Sequence, residues 1–247
     1  MICRQMNEDI LSWVVREADS HLLFHNGYFT LLEEGEMSRE VFAATQKQFY
    51  FAVRYFPRPM AALMARMPDS SLRQGLVHNV SEEHGLDVGT GEGFDPLLAH
   101  DVTFCRFLAL LGVGKEEVYN QREGAAVRAF NNSLMGTCLM EPADLAFACL
   151  GVIEHSFAGL SALIGKSVTG QGWVSSGSLV HYSLHAEIDQ RHAADFFKNV
   201  EGAWSAGGTS RAAVEDGVRL GLHLFNRLYE DLLSETNLSY ECAAAAS

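Results

Sequence analysis

YSLHAEIDQRHAADFF, residues 182–197, is the stretch that indicates both the fold class of this chain and its chemistry. His185, Asp189 and His192 stand at positions i, i+4 and i+7, so on a helix they project from one face. An apolar stripe runs close to that face: Leu184, Ile188 and Phe196. Two imidazoles and a carboxylate on one face suit a divalent transition metal such as iron or manganese. The alternative is that the three polar residues line a solvated helix face.

Helical spacing extends outward from this stretch through nearly the whole chain. In residues 9–32 apolar side chains recur every three or four positions, and Ser38 can N-cap a following helix that Pro57 and Pro59 end. Further helices are predicted over residues 59–67, 69–84, 96–112, 122–135, 142–165, 179–200 and 209–236. Almost nothing alternates with period two, so we predict an all-α bundle, a single domain over residues 1–247. Its core would span about residues 20–235, followed by a frayed tail, ECAAAAS.

Composition and charge exclude several classes of protein. The 247 residues are 48% hydrophobic, enough for a substantial core, and a net charge of −13 makes nucleic acid an unsuitable partner. We find no apolar run long enough to span a bilayer and no signal peptide, and so expect a cytoplasmic protein without a membrane partner. The five cysteines include no CxxC pair, which argues against a thiolate metal site.

Glu154 is the second candidate ligand, because it lies within the apolar helix predicted over residues 142–165. A buried carboxylate without a partner costs several kcal/mol, on the order of 2–7 even for a neutral polar group. A metal would supply that partner, and the alternative is pairing with His155 or an arginine. His155 itself lies about 100° further round the helix and should point elsewhere.

The remaining candidates lie on either side of a glycine-rich segment. Glu82, Glu83 and His84 come near the end of an amphipathic helix, where one carboxylate can face inward while another faces water. His100 opens the next helix, and the alternative for each residue is an ordinary solvated helix end. Between them GLDVGTGEGFDP, residues 85–96, fits no nucleotide-binding fingerprint and is interpreted as a flexible connector. The two Glu-x-x-His pairs of ferritin-type sites are absent.

The order of these residues resembles that of the heme-oxygenase-like diiron oxidases and oxygenases. That family includes alkene-forming fatty-acid decarboxylases, N-oxygenases, amino-acid-fragmenting lyases and the death-domain-associated proteins that make para-aminobenzoate. Its ligands follow the order Glu, His, Glu, His-x3-Asp-x2-His. In this chain the order is met by Glu82, His100, Glu154, His185, Asp189 and His192. NVSEEHG and FYFAVRYFPRPM also resemble family segments, and the similarity spans roughly residues 20–235.

The resemblance implies a heme-oxygenase-like bundle of about seven core helices that binds two ferrous ions and uses dioxygen as co-substrate. One iron would be held by Glu82, His100 and one of the two motif histidines. Asp189 and the other histidine would hold the second, and Glu154 would bridge or cap. Because the gap before His100 is longer than is usual in the family, Glu83 and His84 are alternates for Glu82 and His100. An external electron donor as a partner and assembly into a homodimer are compatible with this interpretation.

The resemblance leaves the substrate open between two classes. An amino acid or amino-acid derivative comes first, and a medium-chain fatty acid second; N-oxygenation, desaturation and oxidative C–C cleavage are not separated. Arg54 and Arg58 could clamp a substrate carboxylate, although each alone is better interpreted as a solvated arginine. Tyr28 could match the tyrosine that the para-aminobenzoate makers consume, and like the two arginines it is a candidate substrate contact. The lysine they also consume is missing, because Ile164 is near its position and Lys166 is out of register, so self-sacrifice is not expected.

Two rival classes share these features. A metal-free enzyme of the same fold, similar to the thiaminases and quinone-cofactor synthases, would use a nucleophile such as Cys138 or Cys149. The complete His-x3-Asp-x2-His motif argues against it, and neither cysteine has a base near it in the sequence. The other rival is a non-enzymatic binding protein.

Overall fold

The computed structural model describes residues 8–86 and 93–245, which form a bundle of α-helices. The helices before the undescribed segment are α1 (Ile10–Ser20), α2 (Gly27–Glu33), α3 (Arg39–Tyr55), α4 (Pro57–Arg66) and α5 (Ser70–Glu83). Those after it are α6 (His100–Leu110), α7 (Lys115–Asn120), α8 (Ala125–Met140), α9 (Ala143–Gly170), α10 (Val180–Lys198), α11 (Glu201–Ala206) and α12 (Gly208–Ala245). Two short 3-10 helices lie at Leu22–His25 and Ser176–Ser178. The all-α prediction is confirmed.

The N-terminal region differs from the single helical stretch predicted over residues 9–32. There the chain forms α1, a 3-10 turn and α2, because two side chains take over backbone hydrogen bonding. His21 Nδ1 accepts a hydrogen bond from the backbone N–H of Leu23, and Asn26 caps α2 by accepting from the N–H of Phe29. Asn26 is buried and also donates to Asn226 on α12, 3.1 Å away. The periodicity was correct, but local capping interrupts the helix.

The predicted boundaries of α3 are confirmed. The Ser38 side chain accepts a hydrogen bond from the backbone N–H of Val41, which makes Ser38 the N-cap. The helix ends at Tyr55, and Pro57 opens α4 directly. Proline has no backbone N–H, and it is tolerated there because the N–H groups of the first helical turn have no partner within the helix.

Helix α9 is the central helix of the bundle. It packs against α10 on one side and α12 on another, and Gly217 and Gly221 bring α12 close to its backbone. By length and composition α9 could cross a membrane. The expectation that no apolar segment is long enough to span a bilayer is therefore wrong. Within the protein, however, 78% of the most apolar 18-residue stretch of α9 is buried. The same apolar sequence that would suit a bilayer is here covered by neighbouring helices.

The connector between α5 and α6 is only partly described, because residues 87–92, which include most of the GTGEG sequence, lie outside the described residues. Its ends are close together: Leu86 and Phe94 form one isolated antiparallel bridge, and Asp95 N–H donates to Gly85 O. Gly85 has φ +94°, and a Cβ there would come within 2.2 Å of the Asp95 carbonyl oxygen. The connector therefore returns the chain to the bundle where His100 begins α6.

Candidate metal centre

Four helices bring the predicted ligands together in the interior. The end of α5 supplies Glu82 and Glu83, the first residue of α6 is His100, the middle of α9 supplies Glu154, and α10 supplies the motif residues. All seven side chains are buried: Glu82, Glu83, His100, Glu154, His185, Asp189 and His192. Residues from distant parts of the sequence therefore form one polar cluster within an apolar bundle.

Glu154, Asp189 and His192 form the first group of donor atoms. One ligand atom from each lies within 4.8 Å of the others, a separation that one metal ion can bridge. The Nδ1 atom of His192 lies 3.7 Å from Glu154 Oε2 and 3.6 Å from Asp189 Oδ1. It has no hydrogen-bond partner among the described residues. A buried ring nitrogen beside two carboxylates, with no hydrogen bond of its own, suits a metal ligand once its proton is displaced.

Glu83, His100 and His185 form the second group. His100 Nδ1 lies 3.0 Å from Glu83 Oε1. The imidazole rings of His100 and His185 have centres 4.4 Å apart. His185 Nδ1 lies 2.9 and 3.0 Å from the two Asp189 oxygens, while its Nε2 has no partner among the described residues. Asp189 thus joins the two groups by orienting His185.

Glu82 is buried like Glu83 but occupies a different place. Its carboxylate accepts two hydrogen bonds from Arg191, at 2.6 and 2.9 Å, and its Oε2 lies 2.5 Å from His192 Nε2. Glu82 therefore supports the side of His192 that faces away from Glu154 and Asp189. A carboxylate that holds the second nitrogen of a ligating histidine fixes the orientation of its ring.

Burial sets the protonation of the cluster. Burial is the larger cause, and the neighbouring Asp189 carboxyl the smaller one, of a rise in the pKa of Glu154 to about 7. Burial also raises the pKa of Asp189 well above its usual value. Burial disfavours charge on His192 as well, but the Glu154 and Glu82 carboxylates outweigh it and raise the pKa of His192 to about 10. Burial, and then His100, lowers the pKa of His185 to about 3. At neutral pH in the metal-free protein, His192 therefore carries a proton and His185 is neutral.

These protonation states predict that metal-ion binding strengthens as pH rises from about 6 to 8. His192 and Glu154 hold protons below their raised pKa values, so an entering ion must displace them. Each proton released contributes up to about tenfold in affinity per pH unit. Anaerobic titrations against a competing chelator at pH 6, 7 and 8 measure the effect, and a pH indicator in weak buffer counts the protons. An affinity independent of pH would contradict the protonation states.

A cavity adjoins the cluster. One end is polar, formed by Glu83, His100, Glu154, His181 and His185. The rest of the wall is apolar: Phe49, Ala52, Val53, Phe56, Phe130, Ile153, Phe157 and Phe225. None of these lining residues is a lysine or arginine. The cavity suits a small molecule with an apolar body whose reactive end reaches the polar cluster.

His181 is the site residue that the sequence analysis missed. Its side chain is buried and lines the polar end of the cavity, one helical turn before His185. The signal was present, because His181 precedes His185 by four residues and therefore lies on the same face of α10 as the motif residues. Burial, and then His185, lowers its pKa well below the usual value.

Several candidates lie away from the cavity. His84 is exposed, with Nδ1 2.8 Å from the Val80 carbonyl oxygen, so of the two histidines only His100 reaches the cluster. His155 is half-buried and does not line the cavity, as the helical angle predicted. Arg54 and Arg58 are exposed, and Arg58 instead covers the Tyr55 ring at 5.0 Å. The structure does not bring the proposed arginine clamp to the site.

Tyr28 belongs to a buried hydrogen-bond network outside the cavity lining. Its hydroxyl lies 2.8 Å from Thr45 Oγ1 and accepts from Gln46 Nε2 at 2.8 Å, and Tyr182 donates to Gln46 Oε1. Burial raises the pKa of Tyr28, so the phenol stays protonated. Tyr28 is not among the residues that line the cavity, so the structure does not place it in contact with a substrate there.

An all-α bundle with buried carboxylates and imidazoles on facing helices defines a class of helical-bundle metal site. Comparison with known proteins identifies the class more closely: a family described as iron-containing redox enzyme matches residues 44–226, and the chain belongs to that family. A domain from Shewanella denitrificans with a heme oxygenase-like fold superposes with a TM-score of 0.70 at 15% identity, covering 93% of each chain. The heme-oxygenase-like fold is thus confirmed.

Two curated relatives are synthases. The chain is 23% identical over 177 residues to 4-aminobenzoate synthase of Chlamydia pneumoniae, covering 72% of this chain and 74% of that one. It is also 23% identical over 208 residues to 4-chloro-allylglycine synthase of Streptantibioticus cattleyicolor, covering 84% and 74%. A TenA homologue from Pseudomonas syringae shares the fold, with a TM-score of 0.69 at 14% identity and 91% of each chain covered.

Proposed function

We propose that this chain is a non-heme diiron oxidase or oxygenase that uses dioxygen to oxidise an amino acid or an amino-acid derivative. The observation that carries the proposal is the pair of adjacent donor groups, each containing an imidazole nitrogen that is buried and without a partner among the described residues. His185 Nε2 belongs to one group and His192 Nδ1 to the other. Membership of an iron-containing redox family supports iron as the metal.

The donor groups divide the ligands between two ions. Glu83, His100 and His185 would hold one, while Asp189 and His192 would hold the other. Glu154 would lie between them, because it approaches His192 and also lines the cavity with Glu83. This assignment replaces Glu82 by Glu83, since Glu82 is already occupied by Arg191 and by the outer nitrogen of His192. Two ferrous ions held there would supply electrons for the reduction of dioxygen.

The protein's own residues contribute positioning and exclusion of water. Asn79 Nδ2 donates to Glu154 Oε1 at 3.4 Å, and the Glu82–Arg191 pair holds the outer side of His192. The aromatic and aliphatic wall of the cavity keeps the reacting end of a substrate away from bulk solvent. These contacts fix the ligands before a substrate enters.

An amino-acid substrate is supported by the relatives. The printed names of the curated relatives concern 4-aminobenzoate and a substituted allylglycine. A medium-chain fatty acid is the second candidate, favoured by the eight apolar residues of the wall.

The metal-free rival finds less support. Cys138 and Cys149 are buried and neither lines the cavity; burial raises the pKa of Cys138 to about 12 and raises that of Cys149 further. A thiol held protonated and away from the substrate is a poor nucleophile.

The test is an anaerobic ferrous titration followed by exposure to oxygen with amino-acid and fatty-acid pools. We expect about two ions per chain, and oxygen-dependent loss of a compound from the amino-acid pool. His192→Ala should lose ions and turnover, whereas His155→Gln, a histidine beside Glu154 that faces away from the cavity, should retain both. Absence of iron binding in the parent would refute the proposal, and turnover of fatty acids alone would move the substrate to the second class.

A further inference from the structure

His181 lines the cavity, and one of its ring nitrogens has no role in the site described above. The residue is 1% exposed, and its Nε2 has no hydrogen-bond partner among the described residues. Its ring packs against Phe104, with centres 4.9 Å apart. Leaving a buried polar atom unpaired costs about 1–3 kcal/mol, so an aromatic or aliphatic residue would fill this position better if packing were the only requirement.

The hydrogen bonds of Thr103 determine which nitrogen of His181 is free. Thr103 Oγ1 donates its one hydrogen to the carbonyl oxygen of His100 at 3.0 Å. The same oxygen lies 3.0 Å from His181 Nδ1, so it accepts the Nδ1 proton. His181 Nε2 is then left unprotonated, with its lone pair available. This is the usual arrangement of a ligating histidine, whose outer N–H is held by an oxygen.

His185, one turn further along α10, is arranged in the same way. Its Nδ1 faces Asp189 and its Nε2 is unpaired. Two histidines at i and i+4 on one helix are a known means of binding one metal ion. Both rings line the polar end of the cavity, beside His100 and Glu83.

The spacing of the three rings satisfies the requirement for sharing one ion. An ion about 2.1 Å from a ring nitrogen lies about 3.3 Å from the ring centre, so two rings that share it have centres at most about 6.6 Å apart. The measured separations are 4.3 Å for His181 and His185, 4.4 Å for His100 and His185, and 6.4 Å for His100 and His181. All three pairs fall within this limit.

We propose that His181 Nε2 is a further metal ligand, which completes a nitrogen-rich site with Glu83, His100 and His185. The inference rests on the proposed function and deepens it, because it makes the two ion sites unequal. Apart from Glu154, which would lie between the two ions, the site with His181 has three imidazoles and one carboxylate, whereas the other has His192 and Asp189. Imidazole-rich and carboxylate-rich sites differ in affinity and in preferred metal.

The experiment is an anaerobic titration with ferrous ion, and separately with Co²⁺ followed by its visible absorption, on the parent and on His181→Phe. Phenylalanine keeps a ring against Phe104 and removes the nitrogen. We expect one of two ions to bind at least about tenfold more weakly and the Co²⁺ spectrum of that site to change, while the other ion is unaffected. Two ions bound with parental affinity and spectrum would overturn the inference.

Two further variants keep the test decisive. Thr103→Val removes the oxygen that orients His181 without touching its ring, and should weaken the same ion by about 10–100-fold. If His181→Phe fails to fold, judged by thermal unfolding of the metal-free protein, the Thr103→Val titration decides. His155→Gln is the matched control and should bind as the parent does. A parent that binds no ion would refute the proposed function itself, whereas a parent with two ions and unchanged variants refutes only the role of His181.

Discussion

Asp189→Asn is expected to abolish turnover and to weaken binding of the ion held with His192 by at least about 100-fold. Loss of a residue that only supports a ligand already costs about 10–100-fold, and Asp189 both faces His192 and orients His185. Asparagine keeps the shape of the side chain but loses the negative charge that a cation requires. Ferrous titration and oxygen-dependent turnover measure the two effects.

The same substitution should leave the metal-free fold intact. Burial raises the pKa of Asp189, which means that the buried carboxylate is unfavourable without a cation. Metal-free Asp189→Asn should therefore unfold at a temperature equal to or above that of the parent. Glu187→Gln removes an exposed charge from the same helix and should alter neither binding nor turnover. Parental iron binding by Asp189→Asn would exclude Asp189 as a ligand.

Gly217→Ala is expected to lower the free energy of unfolding by at least about 2 kcal/mol, because adding atoms to a packed interior typically costs about 1–3 kcal/mol. A Cβ at Gly217 would lie 2.3 Å from the Leu145 carbonyl oxygen and 2.9 Å from the Ala148 Cβ, both on α9. Backbone cannot move aside as a flexible side chain can, so α12 would have to shift from α9. For a domain of this size, the melting temperature should fall by at least about 4 °C.

Gly136→Ala provides the control with the opposite sign. Gly136 lies inside α8, and a Cβ there would meet nothing within 4 Å. Alanine in a helix interior is then favoured over glycine by about 0.5–1 kcal/mol. Chemical denaturation of both metal-free variants gives the comparison. Equal or raised stability in Gly217→Ala would show that α12 does not approach α9 as closely as described.

The close packing at Gly217 also concerns the metal centre. Helix α9 carries Glu154 on the face directed toward α10, and α12 packs on α9 from another side. Displacing α9 would move Glu154 relative to Asp189 and His192. The fold and the site are therefore coupled through one helix, and Gly217→Ala should reduce iron binding as well as stability.

The sequence by itself determined the all-α class and most of the residues of the candidate metal centre. Helical periodicity is a local property, so the spacing of His185, Asp189 and His192 was enough to place them on one face of α10. Glu154 followed from a similar argument, because a carboxylate within an apolar helix needs a partner in the interior. The resemblance in ligand order then indicated the heme-oxygenase-like fold, which the structural comparison confirms.

Only the tertiary structure decided which side chain of each close pair faces the cavity. Glu82 and Glu83 are adjacent and both buried, and the difference arises because Arg191 on α10 takes the Glu82 carboxylate. His84 and His100 were alternates, and the structure buries His100 at the start of α6 within the cluster while His84, just after α5, is exposed.

The free nitrogen of His181 likewise depends on Thr103, which lies 78 residues away in the sequence. Local spacing determines which side chains share a helix face. The rotation of each helix against its neighbours, and hence the atoms that meet in the interior, depends on contacts between distant parts of the chain.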